Sequence, residues 1–318
     1  MLRGDKMGLQ NQQIHGPIPK IQGHAPEPFP MSQVQTPITG LTVANGEKLA
    51  WGKRTYVMGI INVTPDSFSG DGLNGNAGSA LDQALRFQEE GADILDIGAE
   101  STHPGYAAVS QEEELQRLMP ALEAIANRTD LPISVDTYKA EVARQAVAAG
   151  AVIINDVWGL KAEPELARVA ADTGAGLVLM HNQRGTEYQD FVPDMIASLE
   201  ESVALALAAG VAQENIVIDP GFGFGKTPDH NMIVMNELGR LKSMGYPILV
   251  GTSRKSTLGL LLDLPADQRV EGTAATVSLA IAGGADIVRV HDVKEMVRVC
   301  RVTDAVVRGW RPDGWKTS

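Results

Sequence analysis

A chain of 318 residues, 44% of them hydrophobic, can bury the core of one large domain, and a closed barrel of alternating strands and helices needs about 250 residues. A formal net charge of −12 argues against non-specific binding to nucleic acid or to an anionic membrane, while a local cluster of Arg, Lys and His can still grip a small anion. The single cysteine, Cys300, excludes an intrachain disulfide and fits a reducing, cytoplasmic compartment. It follows Val297 and Val299 in a helical pattern, which suits a packed thiol rather than a nucleophile. No run approaches the roughly 18 apolar residues of a membrane span, and the N-terminal stretch lacks the apolar core of a secretory signal.

In chain order, residues 1–40 carry Pro17, Pro19, Pro26, Pro28, Pro30 and Pro37 with Gln between them, and are expected to form a disordered or loosely attached tail. Residues 41–55 read as a short β-hairpin cover turning at Asn45-Gly46. From Tyr56 one unit repeats: a short apolar, β-branched run ending in polar residues, then an amphipathic helix. The runs are Tyr56–Val63, Asp93–Gly98, Pro132–Asp136, Ala151–Val157, Gly176–His181, Asn215–Asp219, Tyr246–Gly251 and Ala285–His291. Val192, Met195, Ile196, Leu199 and Val203 make the clearest helical stripe. Helices close on glycine at Glu90-Gly91, Ala149-Gly150 and Gly283-Gly284. Strands alternating with helices, and apolar nearly throughout, predict a parallel sheet covered on both faces. Eight units predict an α/β fold of the (β/α)₈ TIM-barrel type, one domain over residues 41–318. An open flavodoxin-like or Rossmann sheet is the alternative.

In such a barrel the chemistry sits where strands end. The polar residues there are Asn62, Asp96, Glu100, Asp136, Asn155, Asp156, His181, Asp219, Ser253, Arg254, Lys255, Arg289, His291 and Asp292. Any one of them could simply cap the next helix; their convergence on one rim is the stronger signal. The segment Asp219-Pro-Gly-Phe-Gly-Phe-Gly-Lys226 looks like a phosphate loop but has Pro220 where that motif needs glycine, so no ATP site is expected. Its glycines suit close approach to a flat ligand. Arg289-Val-His291-Asp292 ends the eighth run, beside the common phosphate site of these barrels, and fits an anion grip better than a surface ion pair. Metal-ligand spacing is absent, which leaves room only for a loosely held Mg²⁺ bridging substrate phosphates.

Several of these segments together resemble one family. Met58-Gly-Ile-Ile-Asn62-Val-Thr-Pro-Asp66-Ser-Phe68 and Asp96-Ile-Gly-Ala-Glu100-Ser-Thr102-His-Pro104 resemble the first two signatures of dihydropteroate synthases. Ser134-Val-Asp136, Ile154-Asn155-Asp156, the Asp219 segment, Ser253-Arg-Lys255-Ser256 and Arg289-Val-His291 resemble the later ones, in order, across about residues 41–310. The resemblance implies a transferase that joins 4-aminobenzoate to the pyrophosphate ester of hydroxymethyl-dihydropterin in folate synthesis. It implies that Asp136, Asn155, Asp219 and Lys255 hold the pterin, that Asn62, Arg289 and His291 hold the pyrophosphate, and that Asn62 lies near Mg²⁺. It implies that Thr102, Pro104, Phe224, Lys255 and Ser256 shape the second-substrate pocket, with the loops 64–71 and 102–105 closing over it. It also suggests a homodimer. Asp136, Asp219, Lys255 and Arg289 are the expected catalytic set.

Three positions depart from the pattern: His103 stands where Arg is usual, Ala99 where Gly is common, and Thr257 where an aromatic is common. Two rival readings are a pterin-binding methyltransferase domain and a non-catalytic pterin-binding protein. The first would not normally carry both Thr64-Pro-Asp-Ser-Phe68 and Ser253-Arg-Lys-Ser256. The second is opposed by the full set Asn62, Asp136, Asp219, Lys255 and Arg289.

Overall fold

The computed structural model describes residues 41–42, 48–64, 77–100 and 109–316. The expected tail, the Asn45-Gly46 turn, and the loop positions Asp66, Phe68, Thr102, His103 and Pro104 lie outside the described residues.

The two strands β1 (Leu41–Thr42) and β2 (Lys48–Leu49) pair antiparallel with Leu41 opposite Leu49. The barrel strands follow: β3 (Tyr56–Asn62), β4 (Ile94–Gly98), β5 (Ile133–Asp136), β6 (Ile153–Asp156), β7 (Gly176–Met180), β8 (Ile216–Asp219), β9 (Leu249–Val250) and β10 (Ile287–Val290). They pair in the order β8-β7-β6-β5-β4-β3-β10-β9, every neighbour parallel. A parallel bridge between Ile218 and Ile248 joins the two ends and closes the ring. The eight expected strands are all present, so the open-sheet alternative falls. The seventh is shorter than its apolar run. Pro247 has no N–H to give, and its carbonyl instead accepts Ile218 N–H at 3.0 Å, while the Ile248 N–H turns to the Asp286 carboxylate at 3.2 Å.

Helices α1 (Ala77–Glu90), α2 (Gln111–Ala126), α3 (Ala140–Ala148), α4 (Glu165–Thr173), α5 (Phe191–Ala208), α6 (Pro228–Leu241), α7 (Ser256–Leu262), α8 (Val270–Ala282) and α9 (Val293–Val307) accompany the strands. The expected closing glycines Gly91, Gly150 and Gly284 take φ of 96°, 116° and 101°.

The period of two along each strand sorts its residues. Leu95, Ile97, Val135, Ile154, Leu177 and Val288 join the cluster that includes the helix side chains Phe87, Leu118, Leu199 and Val293. Tyr56, Met58, Ile94, Ile153, Val178, Val217, Leu249 and Ile287 form a second cluster inside the barrel, together with Leu41 and Leu49 of the hairpin. Gly176 admits this plug, since a Cβ there would come within 2.8 Å of Leu41 Cδ1. Two residues further along each strand the inward positions become Asp96, Ser134, Asn155, Asp219 and Arg289. The interior therefore runs from apolar at the strand starts to polar at the strand ends. No described helix is long and apolar enough to cross a membrane.

Candidate active site

Register brings the inward polar residues together. Gly98 sits opposite Asp136, and Asp136 opposite Asn155. Across the mouth, Arg289 donates from Nε to Asp96 Oδ2 at 2.5 Å and from Nη2 to Asp136 Oδ2 at 2.6 Å. Asn155 Nδ2 donates to the same Asp96 oxygen at 3.3 Å. Asp96 is 0% exposed and Asp219 5%, so this is a water-poor floor. Its hydrogen bonding is incomplete. Asp96 Oδ1, Ser134 Oγ and Asp136 Oδ1 are buried with no partner among the described residues. A buried acceptor without a donor costs about 1–3 kcal/mol, so such a set suits a ligand that supplies several N–H groups in one plane.

Burial governs the charges. It pushes the Asp136 carboxyl up to about 7 against the pull of Arg289, with Asp96 adding to the rise. Burial raises Asp219 to about 6, offset in part by the Gly221 N–H that its Oδ1 accepts at 2.7 Å. Lys255 falls to about 8, through burial first and the nearby Arg289 second. Burial works against the Arg289 charge too, but Asp96 and Asp136 outweigh it and raise its pKa.

One wall is the glycine segment between β8 and α6. Gly223, at φ 85°, leaves room for the Lys255 stem, since a Cβ there would lie 3.1 Å from Lys255 Cδ. The Lys255 ammonium stands 4.0 Å from the centre of the Phe224 ring, a cation–π contact. Lys226 turns away from any phosphate role. Its Nζ donates to His181 Nδ1 at 2.7 Å and to the Phe224 carbonyl at 3.0 Å. Burial lowers Lys226 to about 7, and burial with the adjacent Lys226 lowers His181 to about 3, so the imidazole is neutral. Tyr188 adds a bond to the Gly225 carbonyl at 2.6 Å. Thr227 then caps α6, accepting His230 N–H at 3.1 Å.

Of the sequence-predicted residues, Asp136, Asn155, Asp219, Phe224, Lys255 and Arg289 meet in this pocket. Asn62 ends β3 beside Gly98 of β4. His291 follows β10, its Nδ1 2.9 Å from Ser253 Oγ. Ser256 is exposed at the first position of α7. Other rim residues serve the scaffold. Asp156 points outward and accepts the N–H groups of Trp158 at 2.8 Å and Leu160 at 2.6 Å, holding Leu160 at φ 66°. Arg254 pairs with Asp292 at 2.6 Å, and Glu100 with Lys139 at 2.5 Å. Sequence reasoning gave no pocket role to Asp96 or Ser134. The strand period would have found both, because they share the inward parity of Asp136.

A polar floor with unused acceptors, two half-buried cations and a glycine-lined wall defines a barrel enzyme for a flat, donor-bearing heterocycle. The sequence model of the pterin binding enzyme family matches residues 58–291. The dihydropteroate synthase of Clostridium beijerinckii is 50% identical over 258 residues, covering 81% of this chain and 96% of that protein. The structure of the Clostridium difficile dihydropteroate synthase in the presence of pteroic acid has a TM-score of 0.78 at 47% identity, covering 81% of this chain and 98% of that one. The Xanthomonas albilineans dihydropteroate synthase with 4-aminobenzoic acid gives 0.78 at 43% identity, covering 84% of this chain and 98% of that one. The chain belongs to the dihydropteroate synthase family. It is a transferase of folate biosynthesis, condensing the pyrophosphate ester of 6-hydroxymethyl-7,8-dihydropterin with 4-aminobenzoate to give 7,8-dihydropteroate and pyrophosphate.

Proposed function

We propose that the pocket divides its work between a ring site on the floor and an anion site at the β3 and β10 ends. Asp136, Asn155 and Asp219 accept the N–H donors of the amino-pyrimidine edge, and Lys255 donates to its carbonyl or ring nitrogen. The observation carrying this reading is the set of buried, unpartnered acceptors around Asp136. Asp96 acts through Arg289 and Asn155, fixing both. Arg289 and His291 stabilise the pyrophosphate. As the bond from the pterin methylene carbon to oxygen breaks, its electron pair leaves with pyrophosphate and positive charge spreads into the ring. The amino nitrogen of 4-aminobenzoate bonds to that carbon and then loses a proton. No protein nucleophile is needed; orientation and electrostatics carry the reaction. Phe224, Lys255 and Ser256 shape the second-substrate side, as do Thr102 and Pro104 by family resemblance.

Mg²⁺ fits this rim as a cation shared with the substrate. Among the described residues no three His, Cys, Asp or Glu side chains form a metal-binding group, whereas Asn62 offers a hard amide oxygen at the end of β3. Mg²⁺ typically takes few protein oxygens and completes its shell with water and phosphate. When bound it would neutralise the departing pyrophosphate.

We also propose a cytoplasmic homodimer. A reducing compartment suits the lone buried thiol of Cys300. Leu260 and Leu261 of α7, Leu279 of α8, and Val302 and Val306 of α9 are exposed on helices that pack against one another, with Leu260 71% and Val306 81% accessible. An apolar face of this kind suits a second copy of the chain. Sedimentation of Leu279→Glu/Val306→Glu should show monomers where the parent shows dimers; a dimeric double variant would exclude this face.

The activity test gives the purified protein the pterin pyrophosphate and 4-aminobenzoate, with and without Mg²⁺. Pyrophosphate release that depends on all three supports the reading, and release unaffected by Mg²⁺ removes the metal from it. Lys255→Ala should lower kcat by about 100-fold or more, while Cys300→Ser stays near the parent. Robust turnover by Lys255→Ala would overturn the role given to that residue.

A further inference from the structure

The two walls beside Phe224 and Lys255 are the least regular parts of the pocket. The glycine segment has no strand partner, and its Gly221, Gly223 and Gly225 take φ of 70°, 85° and 56°. The other wall is the short helix α7, which begins just after Lys255. Lys226 and Tyr188 tie the glycine segment to His181 and to its own backbone, on the β7 side. Among the described residues, one side chain ties it to α7 by hydrogen bonds. Asn231, buried in the first turns of α6, accepts the Gly223 N–H on Oδ1 at 2.8 Å and donates from Nδ2 to Thr257 Oγ1 at 2.9 Å. Both ends of that bridge matter for placement. Gly223 is the residue against which the Lys255 stem lies, and Thr257 is two residues beyond Lys255 on the other wall. Thr257 is also where this chain lacks the family's common aromatic, so its hydroxyl is what completes the bridge.

We infer that Asn231 is a positioning residue for the second-substrate side of the pocket, holding Phe224 and Lys255 in register through Gly223 and Thr257. The inference rests on the reading that Phe224 and Lys255 contact 4-aminobenzoate. Of the four residues given to the pterin ring, Asp136, Asn155 and Asp219 are fixed by β5, β6 and β8, so only the Lys255 contact to that ring depends on Asn231. The bridge therefore acts on one substrate more than the other.

The test is steady-state kinetics of the full chain with both substrates, alongside thermal unfolding. Asn231→Leu, nearly isosteric but unable to bridge, should raise KM for 4-aminobenzoate about tenfold, with KM for the pterin pyrophosphate changed less than threefold. Thr257→Val should move the same constant in the same direction by less, and Thr257→Ser, which keeps the hydroxyl, should restore it. A parallel rise in both KM values, no change in either, or a Thr257→Ser variant indistinguishable from Thr257→Val would overturn the inference. If Asn231→Leu does not fold, the Thr257 pair decides by the same criteria. Phe224→Ala separates the two layers. A normal 4-aminobenzoate KM in that variant removes the pocket reading and the inference with it. A raised KM there beside a normal one in Asn231→Leu overturns the positioning role alone.

Discussion

Replacing Arg289 with Met removes the cation that two buried carboxylates share while keeping most of the apolar stem. The guanidinium sits 2.5 Å from Asp96 and 2.6 Å from Asp136, and Asp96 has no exposed surface to fall back on. Breaking one side of a buried pair costs about 3–5 kcal/mol. For a domain of this size, 1 kcal/mol lowers Tm by about 2 °C, so a loss of roughly 6–10 °C is expected. The cost depends on pH, because a proton can replace the arginine. Burial already lifts Asp136 to about 7, with Arg289 opposing the rise and Asp96 and Glu114 adding to it. A carboxyl raised above its unfolded value near 4 lends stability at low pH and loses it as pH climbs through the folded value. Without Arg289 the folded value climbs further, so the deficit of the variant must grow from pH 5.5 to pH 8.5. Thermal and urea unfolding of parent and Arg289→Met at those two pH values is the assay. A gap that is absent at pH 8.5, or equal at both, would refute the claim that Arg289 neutralises these carboxylates.

Three further outcomes follow from the same pocket. If turnover needs Asp136 and Asp219 ionised and Lys255 protonated, kcat/KM should fall as pH drops through about 7 to 6 and again as it rises past about 8; a flat profile from pH 5 to 9 would exclude these groups. Gly223→Ala places a Cβ 3.1 Å from Lys255 Cδ at φ 85°, so kcat/KM should drop about tenfold or more and stability by about 1–2 kcal/mol. Gly174→Ala, at φ 71° with nothing within 4 Å, should show the stability loss without the kinetic one.

Most of the fold was legible because the barrel writes itself into the chain as eight short apolar runs spaced by helical stripes. What the runs could not show is where a ladder stops. Pro247 sits inside an apolar stretch, and the strand begins at Leu249 because Pro247 has no N–H and the Ile248 N–H goes to the Asp286 carboxylate. The site divides in the same way. Asn155 and Asp156 both end a strand as polar residues, yet adjacent strand residues face opposite sides, and the structure puts one in the pocket and the other on a turn. The Pro220 mismatch already argued against a phosphate loop, but nothing in the glycine segment shows that Lys226 is spent on His181, a partner 45 residues away. The Arg289–Asp96 pair spans 193 residues, and no local signal in either segment names the other.

That pair also explains how an acidic protein can orient an anionic substrate. The floor holds three carboxylates, Asp96, Asp136 and Asp219, against two cations, Lys255 and Arg289. Such a floor is a poor site for pyrophosphate and a good one for ring N–H donors, since each carboxylate oxygen gains from a donor and repels a phosphate oxygen. On the proposed reading, anion affinity comes from the β10 side, where Arg289 faces the carboxylates and His291 follows it, with Mg²⁺ beside Asn62 as the proposed third contributor. On the same reading, a substrate with a donor-rich ring at one end and pyrophosphate at the other takes one orientation, ring on the floor and leaving group at the rim. On the proposed reading, the apolar plug of Leu41 and Leu49 and the acidic floor beyond it leave the pyrophosphate only the β3 and β10 ends of the rim.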